Sequence, residues 1–330
     1  MTSLPTGKER LSPAQPTQLD AAGTGEPPPA SSAATRPGRP PAAGIRPNAI
    51  AGAGAVRLAV ILVNWNGADD TIECLESLLR TDRPVRVLVV DNGSEDDSVA
   101  RIHAWASGAT PYAPPDNVPG ALTRPPLRKP VPLRELSDEE ALVTPPGQEL
   151  LTVIRSASNR GFAGGNNLGL RHALLDPSIG YFWCLNNDTV VEADAPRALL
   201  SRLDATPRVG MCGTQVRYYH RPGTIQQLNG SRFQLLTGQS SGIGTGLPVS
   251  APFNPEQVAR ETDFVLGASL AVSRAFLETV GFMEEGYFLY FEEIDWAVRN
   301  RGRFAITFAH GAIVRSEEHT SELQSPCNLV

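Results

Sequence analysis

The stretch that decides the fold reads Asn159-Arg160-Gly161-Phe162-Ala163-Gly164-Gly165-Asn166-Asn167-Leu168-Gly169. It holds four glycines and three asparagines, between an apolar run at residues 150–154 and a helix-like run at residues 168–175. Glycine lets the backbone adopt positive φ and approach a ligand closely, and asparagine tolerates the same conformations while offering amide hydrogen bonds. A turn that opens a helix also directs free N–H groups and the positive end of the helix dipole at one point. The stretch therefore predicts an anion-binding turn suited to a diphosphate, with a plain turn as the alternative.

Two aspartates follow apolar strands on either side of this stretch. Residues 85–90 and 181–185 have the composition of buried strands, and they lead into Asp91 and Asp188. Ligands of open α/β sheets collect at the carboxyl ends of the strands. A carboxylate beside amides at such an edge is a hard oxygen site suited to Mg²⁺ or Mn²⁺. For each aspartate, an Asx-turn or a helix cap is the alternative interpretation.

Strands and helices alternate along most of the chain. A helix is predicted at about residues 69–79, and further strands at residues 151–154 and 209–213. Alternation of this kind indicates an α/β fold with a mostly parallel sheet covered by helices on both faces. Residues 218–261 are rich in Gly, Gln and Ser, and we expect them to be irregular.

Five motifs occur in order at residues 60–67, 89–94, 159–169, 185–189 and 290–296. The ordered set resembles the family 2 glycosyltransferases of the GT-A fold, and most closely their rhamnosyltransferase-like branch, over about residues 57–314. The resemblance implies an inverting, metal-dependent transferase. It implies a nucleotide-diphosphate sugar donor, rhamnose-type or hexose, and a saccharide or lipid-linked acceptor in cell-surface polysaccharide synthesis.

The resemblance also assigns residues to the donor site. A divalent cation, Mg²⁺ or Mn²⁺, is assigned to Asp188, although Asn186 stands where the family usually has a first acid. A family histidine near the metal falls at Ser316 in this sequence. The residues assigned to nucleotide-sugar binding are Asn64, Asp91, Asn159, Gly165, Asn166 and Asn187.

The catalytic base is expected in the last motif. Matching the family's Glu-Asp pair places the base at Glu293, with Glu292 orienting its neighbour or the acceptor. The aromatic residues before these acids would partly desolvate them and raise their pKa towards the working range of a general base. A salt-bridged solvent helix is the alternative, because acids and an arginine are spaced for i, i+4 pairs. The residues assigned to the acceptor side are Gly267, Asp295 and Trp296.

Composition excludes several protein classes. The net charge of −6 and the lack of a basic cluster argue against a nucleic-acid partner. No apolar run reaches the length of a membrane span, and no signal-peptide core is visible at the N-terminus. Cys74, Cys184 and Cys212 lie among apolar residues without C-x-x-C spacing, which indicates buried thiols in a reducing compartment. We expect a cytoplasmic protein that contacts at most the inner face of the plasma membrane.

Three segments are expected to lie outside the regular fold. Residues 1–56 are rich in Pro, Ala and Gly and predict a disordered tail. Residues 107–148 are a Pro-rich insertion, which we interpret as a surface loop, with a docking segment as the alternative. Residues 315–330 resemble a translated sequencing adapter, so we expect a non-native tail there and a natural chain truncated near Val314.

Three other functions can be weighed against sugar transfer. A sugar nucleotidyltransferase would need a basic Gly-rich loop after the first strand, and a dinucleotide-binding oxidoreductase would need G-x-G-x-x-G there. Residues 64–67, Asn-Trp-Asn-Gly, provide neither. An inactive module that binds nucleotide-sugars or carbohydrates remains open at this stage.

Overall fold

Two β-sheets and eight α-helices make up the described part of the computed structural model, which comprises residues 56–234, 236–287 and 291–317. The strands are β1 (Leu58–Asn64), β2 (Arg86–Asp91), β3 (Leu133–Ser137), β4 (Leu151–Arg155), β5 (Tyr181–Asn186), β6 (Thr189–Val191), β7 (Val209–Tyr218), β8 (Ile225–Leu228), β9 (Gly230–Gln234), β10 (Gln239–Gly242), β11 (Phe264–Val265), β12 (Ser269–Ser273) and β13 (Ala305–Ser316). The helices are α1 (Ala68–Leu78), α2 (Ser98–Ser107), α3 (Asp138–Val143), α4 (Gly161–Leu174), α5 (Ala195–Ala205), α6 (Pro255–Glu261), α7 (Arg274–Val280) and α8 (Glu292–Asn300).

The central sheet has ten strands in the order β3-β4-β2-β1-β5-β12-β7-β13-β6, with β8 beside β7. The five neighbouring strands β3, β4, β2, β1 and β5 are parallel to one another. Strand β12 is antiparallel to both of its neighbours, β5 and β7. Alternate β1 residues face opposite sides: Leu58 and Val60 join the core under α1, α2 and α5, and Ala59 and Ile61 join the core under α4, α7 and α8. The predicted α/β fold with helices on both faces is confirmed.

Helix α4 begins at Gly161, so the Gly/Asn-rich stretch is mostly helical and the predicted start near residue 168 is wrong. Of its four glycines only Gly161 has a positive φ, at 68°. A Cβ at Gly165 would lie 2.8 Å from Val63 Cγ1, and one at Gly169 would lie 2.7 Å from Ile61 Cγ2. The later glycines therefore serve close packing of the helix on β1. This tertiary contact outweighs the low helix propensity of glycine.

The Pro-rich insertion is more ordered than the predicted surface loop. It contributes β3, which pairs in parallel with β4 at the sheet edge, and α3, which begins with a capping box formed by Ser137 and Glu140. Leu127 and Leu136 are buried, which gives the segment an apolar attachment to the domain.

The remaining differences concern the C-terminal half. Residues 218–261 contain β8, β9, β10 and α6, and a small sheet of order β10-β9-β11 replaces the expected irregular region. Strand β13 continues past Val314 to Ser316, and buried Arg315 pairs with Glu192. The expectations for residues 1–55, 288–290 and 318–330 lie outside the described residues.

Two predictions from composition can be compared with the described structure. Cys74, Cys184 and Cys212 are free and buried, as predicted, and burial raises the pKa of each thiol to about 12. Among the described residues, no helix combines the length and apolarity needed to cross a membrane.

Candidate active site

The carboxyl ends of β2, β1 and β5 lie side by side at one edge of the central sheet. Asn64 is the register partner of Asp91, and Val63 is the register partner of Asn186. On the other side of β5, the backbone N–H of Asn186 donates to the carbonyl of Ala268 at 3.0 Å, just before β12 begins. The segments predicted to bind the donor, the cation and the acceptor therefore meet at this edge.

Asp91 is held in a buried hydrogen-bond network at the end of β2. Its Oδ1 accepts from Asn64 Nδ2 at 2.8 Å and from the Ser94 hydroxyl at 2.6 Å. Asn64 is fully buried, and its Oδ1 accepts from the Thr71 hydroxyl at 2.8 Å. Asn64 therefore orients Asp91, and its assignment to nucleotide-sugar binding stays a prediction. The backbone N–H of Ser94 also donates to Asp91 Oδ2 at 3.4 Å, so the carboxylate is bonded to the turn that follows β2.

Asn92, which the sequence analysis did not assign, fastens the start of α4 to the end of β2. Its Nδ2 donates to Asn159 Oδ1 at 3.0 Å and to Gly161 O at 3.1 Å, and its Oδ1 accepts from Arg160 N at 3.0 Å. Gly93 follows with φ 74°, and a Cβ there would clash with the backbone at residues 158–159. The position of Asn92 directly after Asp91 was the available signal.

The N-terminus of α4 is already supplied with acceptors from the protein. The N–H groups of Arg160 and Gly161 bond to the side chains of Asn92 and Asn159. A Cβ at Gly164 would lie 3.6 Å from a carboxylate oxygen of Glu285, so the anionic group near this first turn belongs to the chain itself. These bonds account for two N–H groups of the turn, and the diphosphate-binding turn stays a prediction.

Gly165 and Asn166 both make contacts that stabilise helix α4 or its packing. Gly165 packs on Val63, as described above, and Asn166 is 1% exposed with its amide donating back to Phe162 O within the helix at 3.0 Å. The assignment of these two residues to nucleotide-sugar binding stays a prediction.

Asn187 and Asp188 follow β5 and face helix α1. Asn187 Nδ2 donates to the Thr71 hydroxyl at 3.0 Å, which links this turn to the Asp91 network through Asn64. Asp188 is 7% exposed and borders a cavity of about 10 Å³, roughly the space of one water molecule or a small cation. The residues that line this cavity are Asp70, Glu73, Asp188, Thr189, Val190, Tyr219 and Glu317.

Glu293 lies in the first turn of α8 with its carboxylate against the backbone of Gly267. The side chain is half-buried, and a Cβ at buried Gly267 would overlap with Glu293 Oε1. Burial is the main cause that raises the pKa of Glu293 to about 7, and the neighbouring Glu292 carboxylate raises it further, against the backbone N–H groups of Glu293 and Gly267. A carboxyl group with a pKa near neutrality is suited to general-base catalysis.

The other acids and the tryptophan of the last motif have different surroundings. Glu292 is 2% exposed beside Glu293. Asp295 pairs with Arg299 at 2.6 Å, which matches the salt-bridged alternative for this side chain. Trp296 is fully buried, packs edge-on against Phe276, and leaves no surface for an acceptor. Both side chains have structural contacts, and their assignment to the acceptor side stays a prediction.

The chain is similar to known proteins over the residues that form this edge of the sheet. The sequence pattern of glycosyl transferase family 2 matches residues 59–118 and 137–260, which include the ends of β1, β2 and β5 and the start of α4. The chain belongs to glycosyl transferase family 2. The match passes over part of the Pro-rich insertion, between residues 118 and 137.

Individual relatives of this family 2 chain are distant. It is 27% identical over 155 residues to the low-salt glycan biosynthesis hexosyltransferase Agl10 of Haloferax volcanii, a match that covers 45% of this chain and 45% of that protein. The structure of GalNAc-T7 with UDP, GalNAc and Mn²⁺ has a TM-score of 0.54 at 11% identity, over 79% of this chain and 44% of that chain. The mannosyltransferase PcManGT of Pyrobaculum calidifontis, solved with GDP-Man and Mn²⁺, has a TM-score of 0.49 at 16% identity, over 81% of this chain and 58% of that chain. The chain thus has the GT-A glycosyltransferase fold and spans about half the length of its hexosyltransferase relative.

The surroundings of Asp188 can be compared with what a divalent cation requires. Apart from Val190, every residue that lines the cavity has an oxygen-bearing side chain, and carboxylate oxygens suit Mg²⁺ or Mn²⁺. Within residues 56–234, 236–287 and 291–317, however, no three His, Cys, Asp or Glu side chains are arranged to hold a metal ion. The residues therefore fit a cation whose coordination is completed by phosphate oxygens and water, which is the usual arrangement for Mg²⁺.

Position 316, where the family histidine was expected, lies beside Asp188. Ser316 is the register partner of Thr189 across β13 and β6, and Glu317 N donates to Asp188 O at 3.3 Å. His310, in contrast, is exposed elsewhere on β13. A histidine at position 316 would thus lie in the strand beside Asp188, whereas this sequence has serine there.

Proposed function

We propose that this family 2 protein transfers a hexosyl or rhamnosyl group from a nucleotide-diphosphate sugar to an acceptor hydroxyl, with inversion at the anomeric carbon. Family membership supports the donor class, and the name of the Haloferax volcanii relative supports transfer of a hexose-type sugar. The proposed product is a saccharide of cell-surface glycan or polysaccharide synthesis. Buried thiols and the lack of a membrane-spanning helix among the described residues are consistent with action in the cytoplasm or at the inner membrane face.

The observation that carries this proposal is the position of the Glu293 carboxylate. It lies against Gly267, one residue before Ala268, whose carbonyl accepts from Asn186 at the end of β5. A carboxylate with a pKa of about 7 is thus placed at the edge that also carries Asp91. At neutral pH a large fraction of Glu293 is ionised and can take a proton from an acceptor hydroxyl as that oxygen attacks.

On the donor side, we assign the nucleoside to the surface around Asp91. Asp91 is 4% exposed, so it can offer a carboxylate edge to a base or ribose while Asn64 and Ser94 fix its orientation. Trp65 follows Asn64 with 56% of its surface exposed, and its ring could stack on the nucleobase. The diphosphate would then lie towards Asn187 and Asp188 at the end of β5.

Asp188 is the residue we assign to a divalent cation, Mg²⁺ or Mn²⁺. When bound, the cation would neutralise negative charge on the departing nucleoside diphosphate. The protein's own contribution is to hold Asp188 through the short strand β6 and to leave the remaining coordination positions to the donor. Asn187, bonded to Thr71, would fix the turn that presents Asp188.

Single displacement with a carboxylate base requires inversion of the anomeric configuration, which gives the proposal a stereochemical test. Purified protein would be incubated with a panel of nucleotide-sugars and simple saccharide acceptors, with Mn²⁺ and with chelator, and nucleoside diphosphate release would be measured. Glu293→Gln keeps the size and hydrogen bonding of the side chain, so donor binding should persist while transfer falls about 10²–10⁴-fold. Glu292→Gln should reduce the rate of transfer less than Glu293→Gln does. Equal losses in the two variants, or a product with the donor's configuration, would contradict Glu293 as the base.

A further inference from the structure

We infer that Asn167, inside helix α4, is a positioning residue that fixes the place of the base-bearing helix α8 through the segment at residues 280–285. We name this segment the bridge. Asn167 is fully buried. Its Oδ1 accepts from Met283 N at 3.1 Å, and its Nδ2 donates to Met283 O at 2.9 Å and to Glu285 Oε1 at 2.9 Å. The side chain thus holds both backbone polar groups of one bridge residue.

The other side of the bridge is held by α8. Trp296 Nε1 donates to Gly281 O at 2.9 Å, and the Arg299 guanidinium donates to Val280 O at 3.0 Å and Phe282 O at 2.7 Å. Asp295 pairs with Arg299 at 2.6 Å and so orients that guanidinium. Trp296 and the Asp295–Arg299 pair therefore attach α8 to the bridge, and Asn167 attaches the bridge to α4.

Glu285 adds a second fastening between the bridge and α4. Burial opposes its ionisation, but hydrogen bonds from Asn167 and Arg171, together with the charges of Arg171 and Arg160, hold the pKa of Glu285 below its usual range. Arg171 contacts Glu285 Oε1 at 3.0 Å. Glu285 is therefore ionised at neutral pH and pairs with two α4 side chains.

These contacts form a continuous path between the two halves of the site. Helix α4 is fixed at its N-terminus by Asn92, the residue after Asp91, and it holds the bridge about two turns later through Asn167. The bridge in turn holds α8, in whose first turn Glu293 meets Gly267. A helix anchored beside the proposed nucleotide site thus sets the position of the proposed base. The term base rests on the proposed function, while the path of contacts does not.

The test compares Asn167→Ala with Asn300→Ala. Asn300 is a matched control because it is 3% exposed and also bonds both backbone groups of one residue, Phe304, at 2.9 and 3.0 Å. Amide hydrogen exchange would be followed over residues 280–300, and the titration of Glu293 by ¹³C NMR of glutamate-labelled protein. Asn167→Ala should speed exchange at residues 281–285 and 292–296 at least tenfold, and should lower the Glu293 pKa from about 7 towards 4.5 as the carboxyl becomes solvated. Asn300→Ala should leave both unchanged.

A milder variant protects the test against loss of folding. Glu285→Ala removes a partly exposed side chain and keeps the Asn167–Met283 bonds, so it should fold and give a smaller change in the same direction. Unchanged exchange and titration in both Asn167→Ala and Glu285→Ala, or equal changes in Asn300→Ala, would overturn the inference. Both measurements are made without substrate. Lack of sugar transfer by the unmodified protein would therefore count against the proposed function and not against the role of Asn167.

Discussion

The Glu293 carboxylate packs directly on the Cα of Gly267, with no room for a side chain between them. This contact joins the proposed base to the small turn that precedes β12. Glycine allows this close approach through its lack of a Cβ, because the backbone of Gly267 does not have a positive φ. The proposed base, Glu293, can occupy this position because Gly267 has no Cβ.

Gly267→Ala should therefore displace Glu293 while preserving the fold. The new Cβ would overlap with Oε1, and the end of a glutamate side chain can rotate away at modest cost. We expect transfer to fall at least about 10²-fold, the range for loss of a general base, while nucleoside diphosphate binding persists. Gly223→Ala is the control, because a Cβ there meets nothing within 4 Å. Equal activity in the two variants would show that the contact does not matter for catalysis.

The pH dependence of transfer should report Glu293. Because burial and the Glu292 carboxylate raise its pKa to about 7, the rate should rise with pH and level off above about 8. Gly267→Ala, which releases the carboxylate to solvent, should move this inflection to lower pH. A profile that is flat between pH 5 and 8 would exclude Glu293 as the titrating base.

The free energy of unfolding should also depend on the ionisation of Glu293, but it should fall with rising pH, whereas the transfer rate rises. The folded pKa of about 7 lies above the ordinary value of 4.5, so the folded state binds the proton more tightly than the unfolded chain does. The stability that this group contributes is complete below about pH 4.5 and is lost as pH rises through about 7. Relative to Glu293→Gln, the unmodified protein should therefore lose at most about 3 kcal/mol over this window, measured by denaturant unfolding. A constant difference across the window would contradict the shift.

Asp188→Ala should remove cation-dependent binding of a nucleoside diphosphate. Asp188 is the acid at the end of the β5–β6 turn, and the described residues offer no three-ligand group that could replace it. Calorimetric titration with UDP and with GDP, with and without Mn²⁺, should show a Mn²⁺ effect only in the unmodified protein. Asp204→Ala, at a partly exposed ion pair with Arg57, is the control. Persistence of the Mn²⁺ effect in Asp188→Ala would remove this residue from the site.

The strands and their terminal acids could be predicted from the sequence because each signal is local. An apolar run followed by an aspartate defines β2 and Asp91 without knowledge of the neighbours. The roles of Asn167 and Trp296 could not be predicted in this way, since their partners Met283 and Gly281 lie far along the chain or depend on the angle of α8. The start of the glycine-rich helix α4 was predicted wrongly for a related reason. Close packing on β1 stabilises this helix, and helix propensities of single residues do not include such a contact.

Asp91→Ala should affect both stability and nucleotide binding. Removal of its carboxylate leaves Asn64 Nδ2 and the Ser94 hydroxyl without their short contacts, which should cost about 1–3 kcal/mol of unfolding free energy. Ser94→Ala removes one of these bonds and keeps the carboxylate, so it should cost about 1 kcal/mol and retain binding. Thermal melts and calorimetry on both variants separate the two roles. Equal nucleotide affinity in Asp91→Ala and Ser94→Ala would make Asp91 a purely structural residue.

Glu76 should determine whether the Pro-rich insertion stays attached to the domain. Its carboxylate is fully buried and accepts from the Trp105 indole at 2.8 Å, the Leu127 backbone at 2.8 Å, Arg80 at 3.0 Å and Lys129 at 3.2 Å. Two of these donors belong to the insertion, so the carboxylate joins it to α1 and α2.

Glu76→Ala would leave buried cations without their counter-charge, and breaking such a cluster costs about 3–5 kcal/mol. We expect a lower melting temperature, faster proteolysis within residues 109–132, and a change in the fluorescence of Trp105. Glu139→Ala, at an exposed position of α3, is the control and should leave all three unchanged. If Glu76→Ala lowered the melting temperature without faster cleavage of the insertion, the carboxylate would stabilise α1 and α2 alone and would not anchor the insertion.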